Sequence, residues 1–448
     1  MKTKFWRTLL PILFILLIAS PLFIMPFVAE KLGRGWQREL SVALGFVGLT
    51  LAGWQLAPVS RFTPAQKLFN MDKLYTLHHI MSVLSALFVL VHYLLLLMNF
   101  EAGIGFNNWA INLLNIFSPD VPLRAKMGVL SLLAYLLITI TSVFRQQLKL
   151  GYDLWRAAHD VFTLILVGAG LTHVLLVGRY SAAPAMNTLL WVLTSMWVLA
   201  ALYIRVFKPL HQLRHPYKIT EIHQETEGVY SLSVAPQGFD LPEFHPGQVA
   251  WLTVRNSPFS LKRNPFSVAS SVQNRKHFTF AIKELGDFTS TIKDLKVGES
   301  VYVDGPFGHY DITDPKNEGI VLIAGGIGIA PAMSVLRSMR DAKDERPVRL
   351  FYGHNVLEHV EFCDELAALE KELHDFRCFN VLQHPPKDWT GYSGFITTDV
   401  LRAELPKNYK EFNYFVCGPL PMMNAIRTSL EALEVPQDNA HFEEFNMA

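Results

Sequence analysis

Residues 74–100 read LYTLHHIMSVLSALFVLVHYLLLLMNF, and residues 161–178 read VFTLILVGAGLTHVLLVG. The first stretch contains His78 and His92, while the second is entered through His159 and contains His173. Each pair is separated by 14 residues, which on an α-helix is about 40° short of four full turns, so both imidazoles of a helix point the same way. The two histidines of a helix are also roughly 21 Å apart along its axis, within a hydrocarbon core about 30 Å thick. Two such helices form two facing histidine pairs, one near each face of a membrane.

These histidines predict metal ligation. An imidazole in lipid is costly and normally has a functional partner, and histidine is a common ligand of haem iron. We therefore predict that His78 pairs with His159, and His92 with His173, to hold two irons; the alternative is four unrelated polar residues satisfied inside a bundle. His79 stands 13 residues before His92, faces roughly 140° away from it, and is expected outside this seam.

The composition restricts the class of protein. The 448 residues are 50% hydrophobic with a net charge of +1, so nothing points to nucleic acid. The three cysteines have neither metal-ligand spacing nor the look of a disulfide framework, which suits a reducing cytosol.

The first half of the chain predicts a membrane domain. Its apolar segments contain no Asp, Glu, Lys or Arg, and most reach the length of a spanning helix. The basic N-terminus could belong to a signal peptide, but the run that follows is better interpreted as a retained first span. Lys and Arg are more frequent in the stretches that are cytoplasmic when the N-terminus is inside, which predicts a six-span protein with the soluble half in the cytoplasm. The six segments are Leu9–Val28, Leu40–Val59, Leu74–Phe100, Met127–Phe144, Val161–Val177 and Ala185–Ile204.

The second half predicts two soluble folds. Short strands with turn residues between them indicate a small antiparallel barrel. From Gly319 strands alternate with helices, which indicates a parallel, doubly wound sheet that binds a nucleotide. The first group of strands is Val229–Val234, Val249–Val254, Phe266–Ser270, Phe278–Ile282 and Ser300–Val303. The second group is Ile320–Ala324, Val348–Tyr352, Cys378–Leu382 and Tyr414–Cys417, with helices at Pro331–Arg340, Val360–Leu373, Thr398–Leu405 and Pro421–Leu433.

Three motifs in this half indicate cofactor binding, although each alone could be a tight turn, a surface decoration or a buried structural cysteine. Residues 324–331, AGGIGIAP, follow a strand and open a helix, where glycines and free N–H groups accept a pyrophosphate. Residues 263–267, RNPFS, and 283–289, KELGDFT, supply an Arg, an aromatic ring, a Lys and a turn that could hold a flavin and its phosphates. Residues 417–419, CGP, end a strand at the crevice of the sheet. The candidate residues are Arg263, Asn264, Pro265, Phe266, Ser267, Lys283, Gly286, Asp287, Phe288 and Thr289 for the flavin, and Gly325, Gly326, Gly328, Pro331, Cys417, Gly418 and Pro419 for the nucleotide.

Together these motifs resemble one superfamily, the ferric reductases and NADPH oxidases, which are transmembrane flavocytochromes. The His-x13-His pairs resemble its two bis-histidyl b-type haem sites, and Asn264–Ser267 resembles its His-Pro-Phe-Ser/Thr flavin motif. Residues 304–308, DGPFG, are similar to a turn of ferredoxin-reductase-like domains. The ending Phe442–Phe445 resembles the tail whose aromatic residue, here Phe445, stacks on the flavin. The resemblance also implies a hydrogen bond from Ser267 near the reactive edge of the flavin and positioning of the nicotinamide by Cys417.

The resemblance implies a six-helix transmembrane bundle in a bacterial-type plasma membrane, followed by a ferredoxin-reductase-like module. This module consists of an antiparallel β-barrel FAD domain and an α/β nucleotide-binding domain. We expect the di-haem domain at residues 1–207, the FAD domain at 208–314 and the NAD(P) domain at 315–448. Asn264 replaces the family's usual His, so FMN stays an alternative to FAD. Residues 352–355, YGHN, lack the Arg that grips a 2′-phosphate, so NADH and NADPH both stay open.

The expected activity is electron transfer from cytosolic NAD(P)H through FAD and two haems b to an extracytoplasmic acceptor, either oxygen or a ferric chelate. Two alternatives stay open. One is a membrane subunit that supplies electrons to an extracytoplasmic redox protein, docked on the outer loop with Phe106 and Trp109. The other is a protein whose histidines bind a transported metal.

Overall fold

The structure is a computed structural model that describes residues 2–28, 35–60, 71–97, 118–119, 121–308, 312 and 317–443. The chain divides into two compact units, Met1–Lys208 and Pro209–Ala448, and each unit has a hydrophobic core of its own.

The described part of the first unit contains six helices that are long and apolar enough to cross a membrane, as predicted. Their backbone groups are hydrogen-bonded within each helix, which a hydrocarbon environment requires. They are α1, Lys2–Val28; α2, Trp36–Trp54, followed by the short α3, Leu56–Val59; α4, Met71–Leu97; α5, Leu123–Val143; α6, Tyr152–Val177; and α7, Pro184–Leu202. A π-helical turn, Tyr203–Phe207, and the short helix α8, Lys208–Arg214, follow α7.

One predicted boundary in this unit is wrong. Helix α6 begins at Tyr152 instead of Val161, so His159 lies inside the helix and not at its entrance. The prediction followed the apolar run alone, whereas Arg156 and the two alanines after it favour a helix without being part of that run. The predicted docking residues Phe106 and Trp109, and the predicted helix end at Phe100, lie outside the described residues.

Small and hydroxyl-bearing residues allow the helices to pack closely. The Ser85 hydroxyl on α4 donates to the Gly48 carbonyl on α2 over 2.6 Å, and the Ser131 hydroxyl on α5 donates to the Leu166 carbonyl on α6 over 2.8 Å. A Cβ at Gly170 would lie 3.0 Å from the Ser131 hydroxyl. Such contacts are typical of membrane helices, which lack a hydrophobic driving force between them.

The second unit begins with the predicted antiparallel barrel. Its six-stranded sheet has the order β4-β3-β6-β1-β2-β5, and a bridge between Val268 and Phe280 connects the two edges. Strand β1 was not predicted, because its second half, Glu221–Thr226, is mostly polar. The strands are β1, Tyr217–Thr226; β2, Val229–Pro236; β3, Val249–Val254; β4, Asn264–Ser267; β5, Phe278–Lys283; and β6, Ser300–Phe307.

The rest of the second unit is the predicted parallel, doubly wound sheet, with the order β10-β9-β8-β7-β11-β12. Apolar clusters cover both of its faces. The predicted start of one helix at Val360 is wrong, because Phe362 has a left-handed backbone with φ of 59° and the helix begins at Cys363. The strands are β7, Ile320–Gly325; β8, Val348–His354; β9, Phe376–Leu382; β10, Tyr392–Ser393; β11, Asn413–Cys417; and β12, Ala440–Glu443. The helices are α9, Ile329–Ala342; α10, Cys363–Glu372; α11, Thr398–Glu404; and α12, Leu420–Ala432.

Candidate functional site

The structure brings the side chains of His92 of α4 and His173 of α6 close together. Their ring centroids are 6.3 Å apart, and their planes are inclined by 74°. Because a metal–imidazole nitrogen bond is about 2 Å long, two rings that bind one metal ion from opposite sides have centroids roughly 6 Å apart. The separation of the predicted pair would therefore fit two ligands of one iron.

Backbone carbonyls orient both rings. Nδ1 of His92 lies 2.7 Å from the Ser41 carbonyl oxygen, and Nδ1 of His173 lies 2.6 Å from the Arg124 carbonyl oxygen. A proton on Nδ1 that is donated to a carbonyl leaves Nε2 with its lone pair, which is the arrangement of most metal-bound histidines.

Two glycines that the sequence analysis did not single out make room for these rings. A Cβ at Gly45 on α2 would lie 2.9 Å from His92 Nδ1, and a Cβ at Gly128 on α5 would lie 2.8 Å from His173 Nδ1. Both distances are shorter than any ordinary contact, so each ring packs directly on the backbone of a neighbouring helix. A glycine about 46 residues before each histidine is no local pattern, and only the packing of the helices reveals it.

A cavity of about 320 Å³ adjoins this pair. Its wall is mainly apolar, and Arg179, Tyr180 and Ser181 line it after α6 ends. The Tyr180 hydroxyl donates to the Glu39 carboxylate, and the Arg179 guanidinium lies 6.0 Å from the Tyr180 ring centroid. Cavities of this size and character hold cofactors in other proteins.

The second predicted pair, His78 and His159, differs from the first in the surroundings of its Nδ1 atoms. Nδ1 of His78 lies 3.2 Å from the backbone carbonyl oxygen of Gln55. Nδ1 of His159 is buried without a hydrogen-bond partner in the described part of the chain, and the Trp155 ring lies 5.4 Å from its ring. His79 is exposed and does not join the pair.

In the second unit, the predicted flavin residues lie together around strand β4. The Ser267 side chain is buried, and its hydroxyl has no hydrogen-bond partner among the residues that the structure describes. Such an orphaned group is costly unless a ligand completes it. The rings of Phe266 and Phe288 lie 6.0 Å apart, which joins the RNPFS strand to the KELGDFT turn.

Two of the predicted flavin contacts already have protein partners. Arg263 is buried, donates to the carbonyls of Pro258 and Ser260, and lies 3.7 Å from the Asp304 carboxylate. The Thr289 hydroxyl accepts hydrogen bonds from the backbone N–H groups of residues 285 and 286, which shapes the turn. Contacts from these groups to a flavin stay predictions.

The predicted nucleotide loop and the Cys-Gly-Pro motif form one structure. Strand β7 ends at Gly325, a short turn covers Gly326–Gly328, and α9 follows. A Cβ at Gly328 would lie 2.3 Å from the Cys417 carbonyl oxygen, so the loop packs on the end of β11 with no room for a side chain. The crevice between β7 and β11 is where the strand order of the sheet reverses, and such a switch point is the usual nucleotide site.

The last strand that the structure describes ends at the same edge of the sheet. Strand β12 pairs in parallel with β11, and Glu443 lies opposite Cys417. Phe445, the predicted flavin-stacking residue, is two residues further on and outside the described residues.

Helix α9 attaches the barrel to the sheet. Its Arg337 donates to the Ala269 carbonyl over 2.8 Å and forms a two-point ion pair with Glu365. Its Ser334 hydroxyl donates to the Ser270 carbonyl over 2.8 Å. Ala269 and Ser270 follow the Ser267 strand closely, so α9 fixes the flavin motif relative to the nucleotide loop at its own N-terminus.

A buried carboxylate lies at the end of β8. The Tyr352 hydroxyl donates to Glu361 over 2.5 Å, and His354 Nδ1 lies 3.7 Å from the same carboxylate oxygen. Burial, with a further contribution from the Glu361 charge, raises the pKa of Tyr352 well above its ordinary value. The strand that neighbours the glycine loop therefore ends beside a negative charge.

Two family models match the chain. Residues 44–170 match the ferric reductase like transmembrane component, and residues 322–428 match the oxidoreductase NAD-binding domain. The first match contains His78, His92 and His159, and the second contains the glycine loop and Cys417.

The chain is also similar to curated reductases. It is 29% identical over 236 residues to the reductase component of propane 2-monooxygenase from Mycolicibacterium smegmatis, which covers 51% of this chain and 66% of that protein. It is 34% identical over 161 residues to an NADH-cytochrome b5 reductase 1 from Kluyveromyces lactis, which covers 35% of this chain and 57% of that protein. The chain thus spans less than two thirds of the length of these relatives. A solved cytochrome b5 reductase domain of Ulva prolifera nitrate reductase matches with a TM-score of 0.46 and 21% identity, over 51% of this chain and 96% of that one.

The fold and the matches define an integral membrane oxidoreductase in which a helical domain is fused to a flavin- and NAD-binding reductase module. This combination agrees with the ferric reductase and NADPH oxidase-like superfamily, so the predicted resemblance is confirmed. The matched oxidoreductase NAD-binding domain implies FAD and NAD(P)H as cofactors of the reductase module.

Proposed function

We propose that this protein transfers electrons from NAD(P)H through FAD and two b-type haems to an acceptor on the opposite side of the membrane. The observation that carries the proposal is the His92–His173 pair, whose ring centroids are 6.3 Å apart and whose Nδ1 atoms both lie next to backbone carbonyls. A haem supplies one-electron redox chemistry when it is bound between two such ligands.

The residues around this pair fit a tetrapyrrole. The cavity beside the rings is mainly apolar, as a macrocycle requires, and Arg179 at its wall provides a cation for an acidic group. His78 and His159 are proposed as the ligands of the second haem. A transported metal fits less well, because the described residues contain no cluster of three or more His, Cys, Asp or Glu side chains that could hold a metal ion.

The residues of the reductase module fit a flavin and a dinucleotide. The Ser267 hydroxyl, which has no hydrogen-bond partner in the described part of the chain, is proposed to donate a hydrogen bond to a ring nitrogen of a bound flavin. The backbone N–H groups of Gly326 and Gly328 at the crevice are proposed to bind the pyrophosphate, and Cys417 at its edge is proposed to position the nicotinamide. FAD is favoured, and FMN is distinguished from it by extraction of the bound flavin.

The Glu361 carboxylate favours NADH. A 2′-phosphate near the end of β8 would be placed close to a buried negative charge, whereas a 2′-hydroxyl would not be repelled. We therefore expect a higher kcat/KM with NADH than with NADPH.

The acceptor is proposed to be oxygen or a ferric chelate. A second candidate function is electron supply to a partner redox protein, and the similarity to reductase components of a propane 2-monooxygenase favours it, because these relatives are named as parts of larger enzymes.

The proposal is tested by anaerobic reduction of the purified protein with NADH, followed by mixing with air-saturated buffer while haem oxidation and superoxide are recorded. Fast haem oxidation with matching superoxide indicates an oxidase. Slow oxidation in oxygen and fast oxidation by a ferric chelate indicate a reductase, and slow oxidation by both indicates a missing protein partner. Protein that is purified without haem would refute the proposal.

A further inference from the structure

A buried polar network surrounds His78. The side-chain amide of Gln55, between α2 and α3, donates to the Tyr135 hydroxyl over 3.0 Å, and its oxygen accepts from the Ser82 hydroxyl over 2.6 Å. The Tyr135 hydroxyl in turn donates to the Ser82 carbonyl over 3.1 Å. These bonds form a closed ring among three helical segments.

This ring touches His78 from two sides. The backbone carbonyl oxygen of Gln55 lies 3.2 Å from His78 Nδ1. The Ser82 hydroxyl lies 2.8 Å from the backbone carbonyl oxygen of His78, which is one helical turn earlier. Tyr135 is only 2% exposed and packs in an apolar cluster with Ala52, Ala86 and Ile138, so its hydroxyl has no access to solvent. Loss of this hydroxyl would leave the Gln55 amide without its partner.

The opposite ligand has no comparable support. His159 Nδ1 is buried with no partner within the described ranges, whereas both rings of the His92–His173 pair lie next to carbonyls. The orientation of the His78–His159 pair therefore depends on the contacts that hold the His78 ring. Tyr135 is the residue that connects the Gln55 segment to α5.

We propose that Tyr135 is a positioning residue for the haem held by His78 and His159, acting through Gln55, and that it has no such role for the haem at His92 and His173. This inference rests on the proposed function. Groups that orient metal ligands typically contribute 10- to 100-fold in metal affinity.

The test is a redox titration of the full-length protein with the variants Tyr135→Phe and Thr139→Val. The second variant is the matched control, because the Thr139 hydroxyl on the same helix bonds, among the described residues, to the Tyr135 carbonyl alone. Each variant is also combined with His92→Ala, which leaves the His78–His159 haem alone in the spectrum.

In Tyr135→Phe, we expect the oxidised haem at His78–His159 to be held about tenfold less tightly relative to the reduced haem, which corresponds to a rise of about 59 mV in its midpoint potential. The other haem and Thr139→Val should keep the wild-type potentials. Equal shifts of both haems, or no shift, would overturn the inference and leave the proposed function intact. Wild-type protein without haem would overturn both.

Discussion

A single methyl group at position 128 should remove one haem and leave the other. In Gly128→Ala, the new Cβ would lie 2.8 Å from His173 Nδ1, about 0.6 Å inside the ordinary contact distance of 3.4 Å. The His173 ring must move away from the new methyl group. This movement disturbs the 2.6 Å contact of the ring with the Arg124 carbonyl oxygen. Metal sites tolerate displacements of about 0.5 Å, so we expect the haem affinity to fall about 10- to 100-fold, or about 1.4 to 2.7 kcal/mol.

The fold should survive this substitution. Overpacking costs about 1–3 kcal/mol, but Ala gains about 1 kcal/mol over Gly in a helix, so the free energy of unfolding should fall by about 0–2 kcal/mol, less than the total stability of about 5–15 kcal/mol. The assay is the ratio of haem to protein, which should fall from two toward one, with the loss confined to the spectrum that His92→Ala also removes. Gly168→Ala on the helix of His173 is the control, because its Cβ meets nothing within 4 Å. If Gly128→Ala retained two haems, or if the control lost as much haem, contact between Gly128 and the His173 ring would not determine haem binding.

Three further predictions concern the reductase module. Ser267→Ala should slow flavin reduction by NADH roughly 2- to 10-fold, the value of one hydrogen bond, in stopped-flow absorbance; an unchanged rate would contradict the proposed contact. Gly328→Ala should raise the Kd for NADH about tenfold in calorimetry, because the new Cβ would lie 2.3 Å from the Cys417 carbonyl oxygen and the loop must shift at a cost of about 1–3 kcal/mol; unaltered binding would exclude that loop as the site. In the native protein at pH 7.5, maleimide should label the exposed Cys363 but not Cys378, because burial raises the pKa of the Cys378 thiol and keeps it protonated. Mass spectrometry of the labelled protein measures both sites, and equal labelling would contradict the expected protection of Cys378.

Much of the membrane domain could be predicted because its signals are local. Apolar length specifies a spanning helix, and the 14-residue interval puts His92 on the same helical face as His78. The supporting contacts could not be predicted in this way. Gly45, Gly128 and Tyr135 act through contacts with residues on other helices. Their spacing in the sequence does not indicate these contacts.

The reductase module shows the same division. The glycine loop and Cys417 are each recognisable from the sequence, but the contact between them depends on the order of β7 and β11 in the sheet. Strands β1 and β12 were missed because polar residues weaken their alternation, although both are held firmly by pairing with neighbours. The Glu361 carboxylate was also missed, since it lies outside the β8 strand whose end it approaches.

If electrons cross the membrane through both histidine pairs, the reductase module on one side can reduce an acceptor on the other. We would measure this in proteoliposomes with ferricyanide trapped inside and NADH added outside, where it reaches the reductase modules that face outward. We expect the wild-type protein to reduce the trapped ferricyanide and His92→Ala not to reduce it, although this variant should still reduce ferricyanide added outside. Trapped ferricyanide that stays oxidised with a haem-replete wild-type protein, or is reduced equally well by His92→Ala, would exclude electron transfer through both pairs.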